Sequence, residues 1–147
     1  MPSDLPSIRQ LFYDTITSVN TKDYSPGEIK VWSSGYADTV RWANKLKQQD
    51  FYVYECEATI VAFASLLNRN YIDHLYVSQY HQGKGIATTL LQFIENKAKR
   101  ANTSHIYSDV SITARSFFEC HGYRVLKQNQ IPHKGEVLIN FNVVKKL

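Results

Sequence analysis

The stretch that most constrains this chain is Tyr71–Leu91, YIDHLYVSQYHQGKGIATTLL. A β-branched and aromatic segment runs straight into a loop holding Gly83 and Gly85. A helix follows, whose apolar residues Ile86, Leu90, Leu91, Ile94 and Ala98 form one stripe. Glycine lets a backbone approach a ligand with no Cβ in the way, and the first amides of a helix are unpaired donors at the positive end of its dipole. The arrangement therefore reads either as an anion site suited to phosphate or as a plain tight turn. Spacing excludes the two commonest phosphate loops. A P-loop requires G-x-x-x-x-G-K-[ST], and Gly83-Lys84 lacks both the upstream glycine and the following hydroxyl. A dinucleotide fingerprint requires a third glycine where Thr88 stands, near the start of a Rossmann unit.

The rest of the chain is read around this unit. Asp4 as a cap, Pro6 in a first turn and Ile8, Leu11, Phe12, Thr15 and Ile16 at helical spacing predict a first helix. Ser25-Pro26-Gly27-Glu28 is a capping-box start for a short second helix to about Trp32. Residues 37–48 predict a third, with Val40, Ala43, Leu46 and Lys47 on one side. The period then switches to strands at 51–56 and 59–67, joined at Glu57-Ala58, and at 71–77. After the long helix come a strand at 104–110, a short helix at 113–121 ended by Gly122, and strands at 123–128 and 137–144. No repeat, linker or low-complexity tract divides the 147 residues, so residues 1–147 are expected to form one α/β domain with a mixed sheet.

Composition narrows the function classes. Charged residues make up 20% and hydrophobic ones 44%, which is globular rather than disordered. The net charge of +4 is scattered, which disfavours a nucleic-acid binder and suits a small polyanionic ligand. No apolar run approaches the ~20 residues that span a bilayer, and Met1-Pro2-Ser3-Asp4 starts no signal peptide. Cys56 and Cys120 are the only cysteines and no histidine has ligand spacing, so no metal is expected. A cytoplasmic protein is the expectation, with no membrane or nucleic-acid partner.

Gln82-Gly83-Lys84-Gly85-Ile86-Ala87 resembles Q/R-x-x-G-x-G/A, the acetyl-CoA pyrophosphate loop of the GNAT superfamily of N-acetyltransferases. Leu75-Tyr76-Val77 is similar to the L-x-V strand before that loop, and Thr88-Thr89-Leu90-Leu91 fits the helix after it. Downstream, Ser111, Ala114, Phe118 and Gly122-Tyr123 resemble the second signature, N-x-x-A-x-x-x-Y-x-x-x-G-F. The SITA-x-x-FFE-x-x-GY stretch and the G-x-x-x-x-N-F tail resemble the YafP-like branch. Two departures stand out. Ser111 replaces the usual Asn but can still donate to a pantetheine arm. Phe118 replaces the Tyr that acts as acid for the departing thiolate, and phenylalanine has no proton to give. The chain also begins where family members have completed a first strand.

The resemblance implies a mostly antiparallel sheet, helices on both faces, and a V-shaped splay between two central parallel strands, those at 71–77 and 104–110. It implies an enzyme that moves the acetyl group of acetyl-CoA directly to an amine of a small molecule; a homodimer is a family-level expectation. Cofactor contacts would come from Leu75, Tyr76, Val77, Gln82, Gly83, Lys84, Gly85, Ile86, Ala87, Thr88, Ser111, Ala114, Phe117 and Phe118. A backbone amide near Tyr76 would polarise the thioester carbonyl, a kind of donor worth ~3–4 kcal/mol in proteases. A base must remove the amine's proton. Asp73 is the first candidate, placed on the face of Val77 by the two-residue period; His74, on the other face unless a bulge turns it, and Asp109 are the others. Tyr24 and Trp32 are the residues expected to face the acceptor. A CoA-binding sensor without catalysis is the alternative, motivated by Phe118.

Overall fold

The computed structural model describes residues 1–147. Helices α1 (Leu5–Ser18), α2 (Pro26–Ser33) and α3 (Thr39–Gln48) precede strands β1 (Gln49–Cys56), β2 (Thr59–Leu67) and β3 (Tyr71–Val77). Helix α4 (Ile86–Arg100), β4 (His105–Ser111), α5 (Arg115–Cys120), β5 (Arg124–His133) and β6 (Glu136–Lys146) complete the order. The six strands form one sheet in the order β1-β2-β3-β4-β6-β5, with every pair antiparallel except β3–β4. No helix is long and apolar enough to cross a membrane.

Local signals place most of these elements. The Ser25 hydroxyl accepts the Glu28 amide at 3.2 Å and the Glu28 carboxylate accepts the Ser25 amide at 2.8 Å, so the capping box starts α2 as written. Glu57 and Ala58 both take positive φ, at 52° and 64°, to close β1 onto β2. That is a conformation glycine or asparagine would adopt with less strain.

Burial sorts the helices to two faces. Helix α4 lays Ile86, Leu90, Leu91, Ile94 and Ala98 on one face of the sheet, where Phe118 of α5 joins them. Ile8, Leu11, Phe12 and Ile16 of α1 and Trp42 of α3 pack around Phe63 on the other.

Two expectations need correction. On α3, Val40 is 71% exposed and Trp42 is the buried residue. A 3-10 turn at Ser34–Ala37 carries the chain to Asp38, whose carboxylate accepts the Arg41 amide at 3.1 Å, so the helix starts at Thr39 and is turned to pack through Trp42. Strand β5 runs on to His133, five residues beyond 128, because Gln128–His133 pair with Glu136–Phe141 of β6. Pro132 is compatible with this because β5 is a sheet edge, where a missing donor breaks no ladder.

Candidate active site

The parallel pair is nearly unpaired. Only Tyr71↔Tyr107 and Ile72↔Ser108 are in register, and beyond them β3 and β4 part. At the vertex the Tyr107 amide donates to the Asn70 carbonyl at 2.8 Å, and the Ser108 hydroxyl donates to the Ile72 carbonyl at 2.7 Å. A side chain thus satisfies the first carbonyl that the ladder abandons. The V-shaped gap holds a cavity of about 580 Å³, bounded by Asp73–Val77, Ser108–Ser111, the end of α1, Phe117 and Phe118 of α5, and the tip of the β5–β6 hairpin.

A β-bulge at Asp73 starts the divergence. Ser65 of β2 pairs with His74 and Leu66 with Ile72, so Asp73 has no partner across the ladder. The bulge also shifts parity: Ile72, Leu75 and Val77 belong to the α4 face, whereas His74 and Tyr76 pack on Phe12 and Phe63 under α1 and α3. Asp73 bonds to Lys45 and Gln49, on the side of His74, and not on the face of Val77 as strict alternation requires. One signal for this was in the sequence. Core residues Ile72 and Leu75 are three apart where an unbroken strand needs two.

The ladder phase decides which amides face the gap. The Ser78 amide donates to the Val61 carbonyl at 2.8 Å, and Tyr76↔Phe63 and His74↔Ser65 share that phase. By antiparallel alternation the amides of Leu75 and Val77, either side of Tyr76, then point away from β2 toward β4. The Tyr76 ring stacks on Phe63 at 5.3 Å, and burial, reinforced by the Asp73 charge, raises its phenol well above the ordinary range.

The loop after β3 is open. The Gln82 side-chain amide donates to the Val77 carbonyl at 2.6 Å and ties off the strand end. Gly83 and Gly85 have φ of 72° and 79°, and a Cβ on either would meet nothing within 4 Å. No amide from Gly83 to Thr88 donates to any acceptor; the first paired one is Thr89, to the Gly85 carbonyl at 3.0 Å. Lys84 is exposed, Ile86 buries its side chain in the core, and Ala87 lines the cavity. The Thr88 hydroxyl bonds His121 Nε2 at 3.1 Å, whose Nδ1 meets the Phe117 carbonyl at 2.8 Å, so α5 is fastened to the start of α4.

Across the gap Ser111 and Ala114 line the cavity, and the Ser111 hydroxyl accepts the Ala114 amide at 3.1 Å. Phe118 is buried edge-on against Tyr123 at 5.1 Å, and Phe117 lies on His121 at 4.3 Å. The Tyr24 ring lines the cavity, but its hydroxyl donates to the Ile139 carbonyl at 2.6 Å and accepts the Ile112 amide at 2.9 Å, joining β6 to the end of β4. Trp32 also lines the cavity, edge-on to Tyr24 at 5.3 Å.

Around Asp73 the structure assembles residues that sequence reasoning did not single out. Lys45 Nζ and Gln49 Nε2 donate to Asp73 Oδ2 at 3.0 and 2.8 Å. His74 Nδ1 lies 2.8 Å from Ser65 Oγ and Nε2 lies 3.4 Å from Lys45 Nζ. Because the ammonium can only donate, Nε2 accepts and Nδ1–H donates to Ser65. Burial, with Lys45 and Arg41 adding to it against the pull of Asp73, lowers His74 to about 3. Neutral and with both nitrogens engaged, it has no lone pair left for an acceptor amine. Burial opposes the Asp73 charge as well, but the positive charge His74 would carry if protonated, the Lys45 charge and the bonds from Gln49 and Lys45 prevail, so its carboxyl sits below the ordinary range. Asp109, on the other wall, has both oxygens committed to Tyr71, Asn129 and Asn142.

The sequence model of the acetyltransferase (GNAT) domain family matches residues 20–143. An uncharacterized N-acetyltransferase of Escherichia coli K12, YafP, is 31% identical over 140 residues, spanning 95% of this chain and 88% of that protein. The solved structure of a GCN5-related N-acetyltransferase from Rhodopseudomonas palustris superposes with a TM-score of 0.96 at 29% identity, over 100% of this chain and 92% of that one. The PaiA N-acetyltransferase of Thermoplasma acidophilum, solved in complex with coenzyme A, superposes with a TM-score of 0.77 at 18% identity, over 99% and 94% of the two chains. At that identity the likeness is one of fold.

Proposed function

Since this chain belongs to the GNAT acetyltransferase family, we propose that it transfers the acetyl group of acetyl-CoA directly to the amine of a small molecule. The observation that carries this reading is the pairing of an opened strand edge with a run of unpartnered amides, Gly83 to Thr88, at the end of the same strand. That donor set fits coenzyme A. Its diphosphate needs several donors on a surface free of side chains, which the loop with Gly83 and Gly85 supplies, with Lys84 exposed beside it. Its extended pantetheine arm needs a strand edge, which the Leu75 and Val77 amides supply, with Ser111, Ala114 and Phe117 on the facing wall. Bound acetyl-CoA supplies an acetyl group already activated as a thioester.

The chain's own residues do the rest. Of the two gap-facing amides, that of Val77, next to the glycine loop, pairs with the arm, and that of Leu75, nearer Asp73, is the donor for the thioester oxygen. Asp73 presents an ionised carboxylate to the cavity and takes the proton that the acceptor ammonium must lose, directly or through water. Trp32 and the Tyr24 ring form the apolar wall on the acceptor side. Phe118, buried against Tyr123, supplies no proton to the thiolate.

The test is a thiol-release assay with acetyl-CoA across a panel of polyamines, arylamines, aminoglycosides and peptide N-termini, beside calorimetry with CoA. Micromolar CoA binding with turnover of at least one amine supports the reading. Binding without turnover of any amine overturns it in favour of a CoA-sensing module.

A further inference from the structure

Asp73 is clamped by one oxygen. Its Oδ2 receives Lys45 Nζ at 3.0 Å and Gln49 Nε2 at 2.8 Å and lies 3.5 Å from His74 Nδ1; no hydrogen bond reaches Oδ1, and the residue lines the cavity. A bulged, half-buried aspartate held only by its own χ angles would sample several rotamers. Two donors on a single oxygen fix the carboxylate plane and leave the other oxygen as its one open acceptor site. We propose that Lys45 and Gln49 are positioning residues, which hold Asp73 so that Oδ1 alone faces the acceptor amine. This rests on Asp73 being the proton acceptor, as argued above.

The placement of α3 follows from the same contacts. Trp42, Lys45 and Gln49 are spaced three and four apart, on one side of the helix and its C-cap. Trp42 is buried with its ring centroid 5.1 Å from that of His74, and its indole N–H donates to the Gly35 carbonyl at 3.1 Å. The helix is therefore anchored on β3 beside the bulge, and Lys45 from α3 and Gln49 from the first position of β1 reach Asp73 from elements that have no backbone pairing with β3. Lys45 is half-buried, 18% exposed, and Asp73 is the one carboxylate that pairs with its charge.

The charge environment of Asp73 is compact. Lys45 and Arg41 come from α3, His74, Tyr71 and Tyr76 from β3, and Ser65 of β2 holds His74 from behind. Lys45 is the one ammonium bonded to Asp73. In the transfer the acceptor's N–H bond breaks and an O–H bond forms at Oδ1, so the lysine charge that keeps Asp73 ionised also limits its basicity.

The experiment uses the full chain with Asp73 labelled at its carboxyl carbon, titrated by NMR without ligand, and a kcat/KM–pH profile on the best amine of the panel. For Lys45→Met the Asp73 titration and the acid limb are expected to move up together by about one to three pH units. The expected kcat at pH 6 falls at least tenfold, while CoA affinity stays within twofold of wild type. Lys45→Arg is expected to return the limb to its place. Gln49→Leu, which keeps the charge pair, is expected to move it upward by less, and it carries the test if Lys45→Met does not fold. Asp73→Asn separates the two ideas. If its profile keeps the acid limb, Asp73 is not the base and the underlying reading falls. If Asp73→Asn removes the limb but Lys45→Met and Gln49→Leu leave titration and limb where they are in wild type, the positioning role alone is overturned.

Discussion

At one end of the cleft the Gly83–Thr88 loop offers a ligand backbone amides with no partner, over two glycines whose missing Cβ atoms leave open space. At the other end the floor around Asp73 is made of side chains from α3, β1, β2 and β3, whose hydrogen bonds converge on Asp73 Oδ2 and the two nitrogens of His74. The first is suited to a ligand whose shape never varies, because backbone donors cannot be exchanged by mutation. The second is suited to fixing one proton-accepting atom, because a networked carboxylate keeps its charge and its direction. The difference teaches that, under the proposed function, cofactor binding and proton removal would rest on separable parts of the chain.

The sharpest way to break that separation is a pair of single substitutions. Asp73→Asn is expected to lower kcat/KM by about 10²–10⁴, the span of general acid–base catalysis, with CoA affinity by calorimetry unchanged. Equal losses in both measurements would mean that the two ends are one unit. Gly85→Val is expected to do the reverse. Its φ of 79° suits glycine, and a left-handed conformation costs an L residue about 1–2 kcal/mol, so CoA affinity should fall about tenfold or more while the acceptor's KM holds.

The last expected effect concerns stability rather than activity. His74 is neutral in the fold, lowered to about 3 chiefly by burial, while an unfolded chain protonates it near 6.5. Below that pH the unfolded state binds more protons, so the contribution is whole above about pH 6.5 and drains away as pH falls toward 3. The lowered Asp73 pKa works in the same direction at the acid end. Urea midpoints measured from pH 7 to pH 4 should decline, and His74→Leu should flatten the slope. A wild-type midpoint independent of pH would mean that the floor around Asp73 is open to water.

How much was legible depends on the range of the forces. The strand, glycine loop and helix of Tyr71–Arg100 could be read directly, because a capping geometry, a positive φ and an apolar stripe are set within a few residues. Tyr24 and Trp32, expected to face an acceptor, both line the cavity. That the Tyr24 hydroxyl is spent on Ile139 and Ile112 was not readable, since those partners lie 115 and 88 residues away. Val40 misled because a helical pattern gives a face but not the direction in which the preceding turn aims it.

By itself the sequence determined a strand, a glycine loop and a helix start on a mixed α/β sheet, through glycine conformational freedom, helix caps and periodic burial, all of them local. Only the tertiary structure decided that a one-residue bulge turns Asp73 beside His74, and that Lys45 and Gln49, 28 and 24 positions earlier, close on one of its oxygens. The physical reason is that a bulge and a buried ion pair are solutions to packing two faces at once. Their free energy depends on which elements meet, and the identity of any single residue leaves that open.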